Sequence, residues 1–327
     1  MNADMSISHV GEFGLIEQLR RLCPAGASVV GIGDDAAVLD IPGDSYMLAT
    51  VDMLVDGVHF RLSHIPPEDL GQRLLAVSVS DIAAMGGAPT FALVSLALPL
   101  DIGLPLVTSL YDGLCGAAEP LGVGVVGGNV TRTPGPLSLD LALLGTVRKT
   151  DVVLRRGARP GDILAVTGRL GLAAAVRLLT ETGMSAEAER DRLGPLARLK
   201  AGQVLAASHL ARAMMDISDG LAGDAHRLCA ASEVGLHILE RHVPVDPLAR
   251  GASETLGREP AELALHGGED YELLIALDPS QVGRARTLVE PLPLTVVGTV
   301  MPREYGVMIE RVNGRVDPLP DDGWKHF

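Results

Sequence analysis

Lysine is almost missing from this chain of 327 residues: Lys149, Lys200 and Lys325 are the only three. None follows a glycine-rich loop and no G-x-x-x-x-G-K-[ST] segment occurs, which excludes the usual phosphate loop of nucleotide-binding proteins. Aromatic residues make up 3%, with a single tryptophan, Trp324, near the end. That is too few for the stacking platforms on which single-stranded nucleic acid is held. Basic residues number 27 against 41 acidic ones, so no nucleic-acid partner is expected. The three cysteines, Cys23, Cys115 and Cys229, are scattered and form no C-x-x-C pair, which argues against a disulfide framework or a structural zinc site. Long apolar runs are lacking too. Phe91 to Leu100 is interrupted by Ser95 and Pro99 and is far too short to span a bilayer, so no membrane partner is expected. The opening MNADMSISHV has neither a basic leader nor an apolar core; no export signal is expected, and the chain reads as soluble and cytoplasmic.

What is present is an apolar, glycine-rich chain: 47% hydrophobic residues and 38 glycines. At roughly 150 residues per domain, the length suits two domains. Short apolar runs alternate with glycine turns, which predicts an α/β protein. Strands are expected at Ser45 to Val51 (continuing extended from Met53 to Phe60), Thr90 to Leu98 (buried), Gly122 to Val126 and Leu137 to Val147. Pro66 and Pro67 open a helix from about Glu68 to Met85, stopped by Gly86 and Gly87, and a second runs from about Leu104 to Glu119. The charged turn Arg155 to Asp162 marks the junction, giving an N-terminal domain over 1–150 and a C-terminal domain over 151–327. Beyond it come strands at Ile163 to Val166, Ala213 to Ile217, Tyr271 to Leu277, Leu294 to Val300 and Val307 to Arg311. Helices are expected at Leu170 to Thr180, near Leu199 to His209 and from Asp219.

The acidic excess recurs beside glycines and at strand ends: Gly33-Asp34-Asp35, Val51-Asp52, Ser80-Asp81, Asp216 to Gly220, and Gly267-Gly268-Glu269-Asp270. These acids have apolar neighbours, where an unpaired charge is costly and a bound cation is the natural partner. Hard divalent cations such as Mg²⁺ take carboxylate and phosphate oxygens together, so converging aspartates suit metal ions holding a polyphosphate. Any one such segment is more simply a turn or a helix cap; five together make that reading weak. Gly122, Gly124 and Gly127 fit G-x-G-x-x-G, but a helix precedes them and none opens after them, so a dinucleotide site is not expected. The nine histidines form no cluster of metal-ligand spacing, and no G-x-S-x-G elbow is present.

Taken together, the segments GEFGLIEQL (Gly11 to Leu19), GIGDDAAVL (Gly31 to Leu39), TVDMLVDGVHF (Thr50 to Phe60), VSVSDIAAMGGAP (Val77 to Pro89), GGNVTR (Gly127 to Arg132), MDISDGL (Met215 to Leu221), GGEDYELL (Gly267 to Leu274) and GWKHF (Gly323 to Phe327) resemble the thiamine-monophosphate kinases. These are members of the aminoimidazole-ribonucleotide-synthetase-like superfamily. The resemblance implies a two-domain fold with mixed sheets, whose N-terminal domains pair into a β-barrel in a homodimer. It implies direct in-line transfer of the ATP γ-phosphate to thiamine monophosphate, aided by several Mg²⁺ ions. Carried over by position, Asp35, Asp52, Asp81, Asp216 and Asp219 resemble the metal ligands, with Thr50 and the backbone of Val51 beside them. Asp52, Asp81 and Asp219 are the residues expected to be central to catalysis. Gly128 and Asn129 resemble a nucleotide and metal contact, although some relatives carry Asp where this chain has Asn129. Arg155 and Ser218 resemble ATP phosphate contacts; His59, Glu269 and Trp324 resemble contacts to the thiamine phosphate. Trp324 could hold a cationic thiazolium by cation–π attraction. Two other readings compete: another ATP-dependent enzyme of the superfamily, such as an aminoimidazole ribonucleotide synthetase, and a non-catalytic sensor of nucleotide or thiamine phosphate. The first is expected to lack the GEF start and GWKHF-type tail, and the second has little use for so many carboxylates.

Overall fold

A computed structural model of the chain describes residues 7–23, 26, 28–181 and 195–323. The helix predicted after the double proline is α2 (Pro67–Ala84), with Glu68 and Asp69 in its first turn, where the helix dipole favours acids. Nearly all of it is buried, from Leu70 through Leu74 and Val77 to Ile82. One reason is that it is covered on several sides. It packs against α3 (Leu104–Ala118), against a sheet of the first half, and against α5 (Pro195–Ala207) of the second half.

Among the described residues, that first sheet holds six strands: β1 (Ser28–Val30), β2 (Ala37–Asp40), β3 (Ser45–Val55), β4 (Ala88–Leu98), β5 (Gly124–Arg132) and β6 (Ser138–Arg148). Their order is β1-β2-β3-β6-β4-β5, antiparallel except for the β4–β5 pair. Leu139, Leu141 and Leu143 of β6 and Ala92, Val94 and Leu96 of β4 join α2 and α3 in one core. The described residues leave the opposite face uncovered: Val51, Met53, Phe91 and Leu93 are exposed there. Before the sheet lies α1 (Ile7–Leu22), interrupted at Gly11.

A second sheet follows, made of β7 (Ile163–Thr167), β8 (Ala211–Ile217), β9 (Gly235–Leu239), β10 (Glu272–Leu277), β11 (Leu294–Met301), β12 (Val307–Glu310) and β13 (Val316–Pro318). The order is β13-β12-β9-β11-β7-β10-β8. Helices α4 (Leu172–Glu181), α6 (Leu221–Ser232), α7 (Pro247–Leu256) and α8 (Pro260–His266) share a core with one face, while α5 and α9 (Val282–Val289) cover the other. The architecture is mixed α/β with three core clusters, one against the first sheet and one on each face of the second. The halves meet where α5 presses on α2: a Cβ on Gly202 would come within 2.0 Å of the Ala83 carbonyl oxygen, an approach that only glycine permits. That contact falls two residues past Asp81. Among the described residues no helix is long and apolar enough to cross a membrane.

Most of the larger elements follow the sequence reading, which does not include α1; β4, expected buried, is exposed at Phe91 and Leu93, and several bounds differ. β3 ends at Val55, and Asp56 to Phe60 turn rather than continue extended. The strand expected to stop at Val126 starts at Gly124 and runs through the glycine pair to Arg132. The helix expected from Asp219 begins at Leu221.

Candidate active site

Four separate elements end at one place. Asp35 lies in the turn before β2, Thr50 and Asp52 on the helix-facing side of β3, Asp81 on α2, and Asp216 near the end of β8. Carboxylate oxygens of Asp35, Asp81 and Asp216 lie within 4.8 Å of one another. Hydroxyls orient them. Thr50 Oγ1 donates to Asp81 Oδ2, and Ser80 Oγ donates to Asp216 Oδ2 at 2.7 Å, a bond that crosses between the two halves. Arg155 donates to Asp35 Oδ1 from Nη2 at 2.6 Å and from Nε at 3.0 Å. Asp34 faces the main chain instead, and its carboxylate accepts the backbone N–H groups of Asp35, at 3.1 Å, and of Arg155, at 3.3 Å.

Burial pushes Asp81 and Asp216 well above the usual carboxylate range, and neighbouring carboxylates push further: Asp52, Asp216 and Asp35 on Asp81, Asp35 and Asp224 on Asp216. Asp52 is raised by burial, opposed by a Ser78 hydrogen bond and assisted by Asp140. Burial and Asp35 raise Asp34 to about 6. Against Asp35, Asp52, Asp81 and Asp216 the described residues set one paired guanidinium, that of Arg155. Asp35 Oδ2 and Asp52 Oδ2 are buried and have no hydrogen-bond partner among the described residues. Hard oxygen donors, partnerless and short of positive charge, are the donor set that Mg²⁺ takes.

Beside the cluster opens a cleft of about 380 Å³. Its acidic wall is Asp52, Asp81, Asp216 and Asp219; Ser218, His59, Glu269, Tyr271, Arg177 and Glu12 complete the polar lining, with Val51, Met53, Leu54, Val58 and Val77 between them. His59 Nδ1 accepts the Val55 N–H at 3.0 Å, a bond made possible by the turn that ends β3. Asp219 is tied down twice. Arg227 Nη2 lies 2.6 Å from its Oδ2, and its N–H donates to Asp224 at 3.1 Å. Asp224 is fully buried, also pairs with Arg227, and is raised to about 7 chiefly by burial.

The structure therefore gathers Asp35, Thr50, Asp81, Asp216 and Arg155 around the cluster. Val51, Asp52, His59, Ser218, Asp219 and Glu269 join Asp81 and Asp216 in lining the cleft. Gly128 and Asn129 are elsewhere. They sit exposed on the edge strand β5, three strand spacings from β3, about 14 Å across the sheet. Gly128 has a packing reason to be glycine, since a Cβ there would meet the Val94 carbonyl oxygen at 1.7 Å. Trp324 lies outside the described residues. Sequence reasoning missed Glu12, Arg73, Arg177, Asp224, Arg227 and Tyr271. Asp224 alone had a signal, an acid inside the first turn of the helix that the Ser218-Asp219-Gly220 segment opens.

Comparison with known proteins identifies the family and the fold. Residues 33–147 match the N-terminal domain of AIR synthase related proteins, and residues 159–310 match their C-terminal domain. Thiamine-monophosphate kinase of Aquifex aeolicus is 36% identical, over 99% of this chain and 100% of that protein. The enzyme of that name from Bacillus subtilis is 33% identical, over 97% and 99%. Among solved structures, AaThiL complexed with AMPPCP and TMP superposes with a TM-score of 0.87, at 34% identity and full coverage of both chains. With both domain families matched in order and full-length relatives of one name, the chain belongs to the thiamine-monophosphate kinase family of AIR synthase related enzymes.

Proposed function

We propose that this protein transfers the γ-phosphate of ATP to the phosphate of thiamine monophosphate, giving thiamine diphosphate and ADP. The observation that carries the reading is the cluster of buried carboxylates, short of positive charge, opening directly into a cleft of about 380 Å³. Asp35, Asp52, Asp81, Asp216 and Asp219 would hold several Mg²⁺ ions, with Thr50 and the Val51 backbone beside them. Mg²⁺ bound there supplies neutralisation of the crowded phosphate charge. The chain's own residues do the rest. Thr50 and Ser80 fix the orientation of Asp81 and Asp216. Arg155 and Ser218 lie where phosphates of ATP would be met. His59 and Glu269 line the acceptor side. An acceptor phosphate is already an anion and needs little help from a base, so direct in-line transfer suits a site built to compensate charge.

Residues 1–150 read as the ATP- and Mg²⁺-binding domain, and residues 151–327 as the domain that completes the site. We also propose a homodimer, formed on the apolar face of the first sheet, where Val51 is 60% and Phe91 51% exposed. Gly128 and Asn129 lie on the edge strand of that same sheet, so a contact from them to nucleotide would be made across the pair. The cytoplasm, where ATP and Mg²⁺ are at hand, suits the activity.

The test is formation of ADP and thiamine diphosphate from ATP, Mg²⁺ and thiamine monophosphate, with free thiamine as the parallel acceptor. Turnover is expected with the monophosphate alone, and Asp52→Asn and Asp219→Asn are each expected to reduce kcat by about 10² or more. Turnover undiminished in both variants would remove the carboxylates from the mechanism. Binding of ATP and thiamine monophosphate without any turnover would make the protein a sensor.

A further inference from the structure

Glu269 does not stand alone in the cleft wall. Its Oε1 is paired with Arg73 Nη2, and its Oε2 lies 3.9 Å from Nη1 of Arg177. Arg73 comes from α2, in the other half of the molecule. It sits at i to the i+4 and i+8 positions of Val77 and Asp81, so the three share one helix face. Val77 and Asp81 line the cleft, whereas Arg73 is packed behind it, its side chain 7% exposed. Its Nη1 has no hydrogen-bond partner among the described residues. A guanidinium this deeply buried carries a large desolvation cost, and the Glu269 carboxylate is the charge that offsets it.

The turn that carries Glu269 is itself held in an unfavourable shape. Gly268, Glu269 and Tyr271 have φ of 69°, 60° and 50°. Two of these are not glycine, and side chains rarely adopt that region unless the surroundings enforce it. Two backbone bonds do so from β8 and the turn after it: the Glu269 N–H donates to Ser218 O at 2.6 Å, and the Tyr271 N–H to Ile217 O at 2.8 Å. These fix the main chain. The Glu269 side chain is fixed by Arg73, from across the domain junction.

We propose that Arg73 is a positioning residue for the acceptor: it holds Glu269 from the helix that carries Asp81, so that the carboxylate meets the acceptor in one orientation. The inference rests on the reading of Glu269 as an acceptor contact. It makes acceptor recognition depend on the docking of the two halves, because the recognising carboxylate belongs to one and its anchor to the other. It also separates the two substrates. Loss of Arg73 disturbs the acceptor wall and leaves the Asp35–Arg155 side, where phosphates of ATP would be met, intact.

The experiment compares wild type with Arg73→Met, Arg73→Lys, Glu269→Gln and the Arg73→Met/Glu269→Gln double variant. It measures KM for each substrate, kcat, and the Kd of thiamine monophosphate by calorimetry without ATP. Arg73→Met is expected to raise the acceptor KM and Kd about tenfold while the ATP KM stays within about twofold. Arg73→Lys, which keeps the charge but loses the planar fork, falls between it and wild type. The double variant is expected to be no worse than the poorer single one, because Arg73 acts through Glu269. Additive losses, equal rises in both KM values, or unchanged acceptor constants would overturn the proposal. Should Arg73→Met not fold, Arg73→Lys decides alone: a rise confined to the acceptor supports the role, and none overturns it. Glu269→Gln with wild-type acceptor binding overturns the role together with the reading of Glu269. Wild type that neither binds nor phosphorylates thiamine monophosphate overturns the kinase reading itself, an outcome distinct from those in which wild type turns over and only Arg73 is silent.

Discussion

At Asp81, burial and three neighbouring carboxylates all favour protonation, and the Thr50 hydroxyl alone opposes them. Asp216 is in the same position, relieved by Ser80 and by Arg155. Without a cation these side chains weaken the fold, since each must lie buried charged beside like charges or take up a proton. Asp81→Asn removes one such charge at nearly constant volume. In EDTA near pH 8 the variant is expected to melt at or above the wild-type temperature, to lose the Mg²⁺-induced rise, and to lose activity by about 10² or more. A lower melting point with the Mg²⁺ response intact would contradict that account. Not every acid in these segments has this character. Asp270, beside Glu269, accepts the Gly171 N–H at 2.9 Å at the start of α4, and Asp34 accepts backbone N–H groups in its turn. For those two the plain cap or turn reading holds, and from sequence they are indistinguishable from Asp35 and Asp216.

At the scale of the element, β4 is the informative strand. Its sequence, Phe91 to Leu98, is apolar on both faces and predicts a strand covered on both sides. Among the described residues only one face is covered: Ala92, Val94 and Leu96 meet the helices, while Phe91 and Leu93 are 51% and 43% exposed. The mismatch between pattern and burial is what a partner surface leaves in one protomer. Leu93→Asp is expected to convert a dimer to a monomer in light scattering after size exclusion, with the far-UV spectrum kept; a wild type already monomeric at micromolar concentration would remove the interface. Several of the elements that are not legible in the sequence are short, the 16-residue α1 being an exception. α7, α8 and α9 have 10, 7 and 8 residues, too few turns for a 3.6-residue period to stand out. β1 and β13 have three residues each. β5 reads short because Gly127 and Gly128 look like a turn, although a strand at a sheet edge tolerates the pair.

For the whole molecule, the site exists only because the halves dock. Asp35, Asp52 and Asp81 come from the first half and Asp216 from the second, and their separation in sequence gives no local sign of the meeting. The residue types are legible beside their glycines; their convergence is readable only through the resemblance to a family, and Arg73 and Arg227 through neither. The convergence has a pH consequence. An Asp whose ordinary value is near 3.8 stands at about 6 at position 34 and about 7 at position 224, and Asp81 and Asp216 are raised as well. Between about pH 4 and pH 7 the folded chain thus keeps protons that the unfolded chain has released, so the unfolding free energy of the metal-free protein falls as pH rises through that window. Below about pH 4 both states are protonated and the penalty is absent; above about pH 7 the shares of Asp34 and Asp224 are present in full, and those of Asp81 and Asp216 add to them as these in turn release their protons. A divalent cation bound at the cluster would take the place of the protons on Asp81 and Asp216. The rise in melting temperature caused by millimolar MgCl₂ is therefore expected to be small near pH 5.5 and largest near pH 8, and calorimetric titration of the metal in buffers of different ionisation enthalpy should register proton release that fades as pH increases. A Mg²⁺ increment that is flat across this range, or that shrinks toward pH 8, would mean that the buried carboxylates are not where the cation binds.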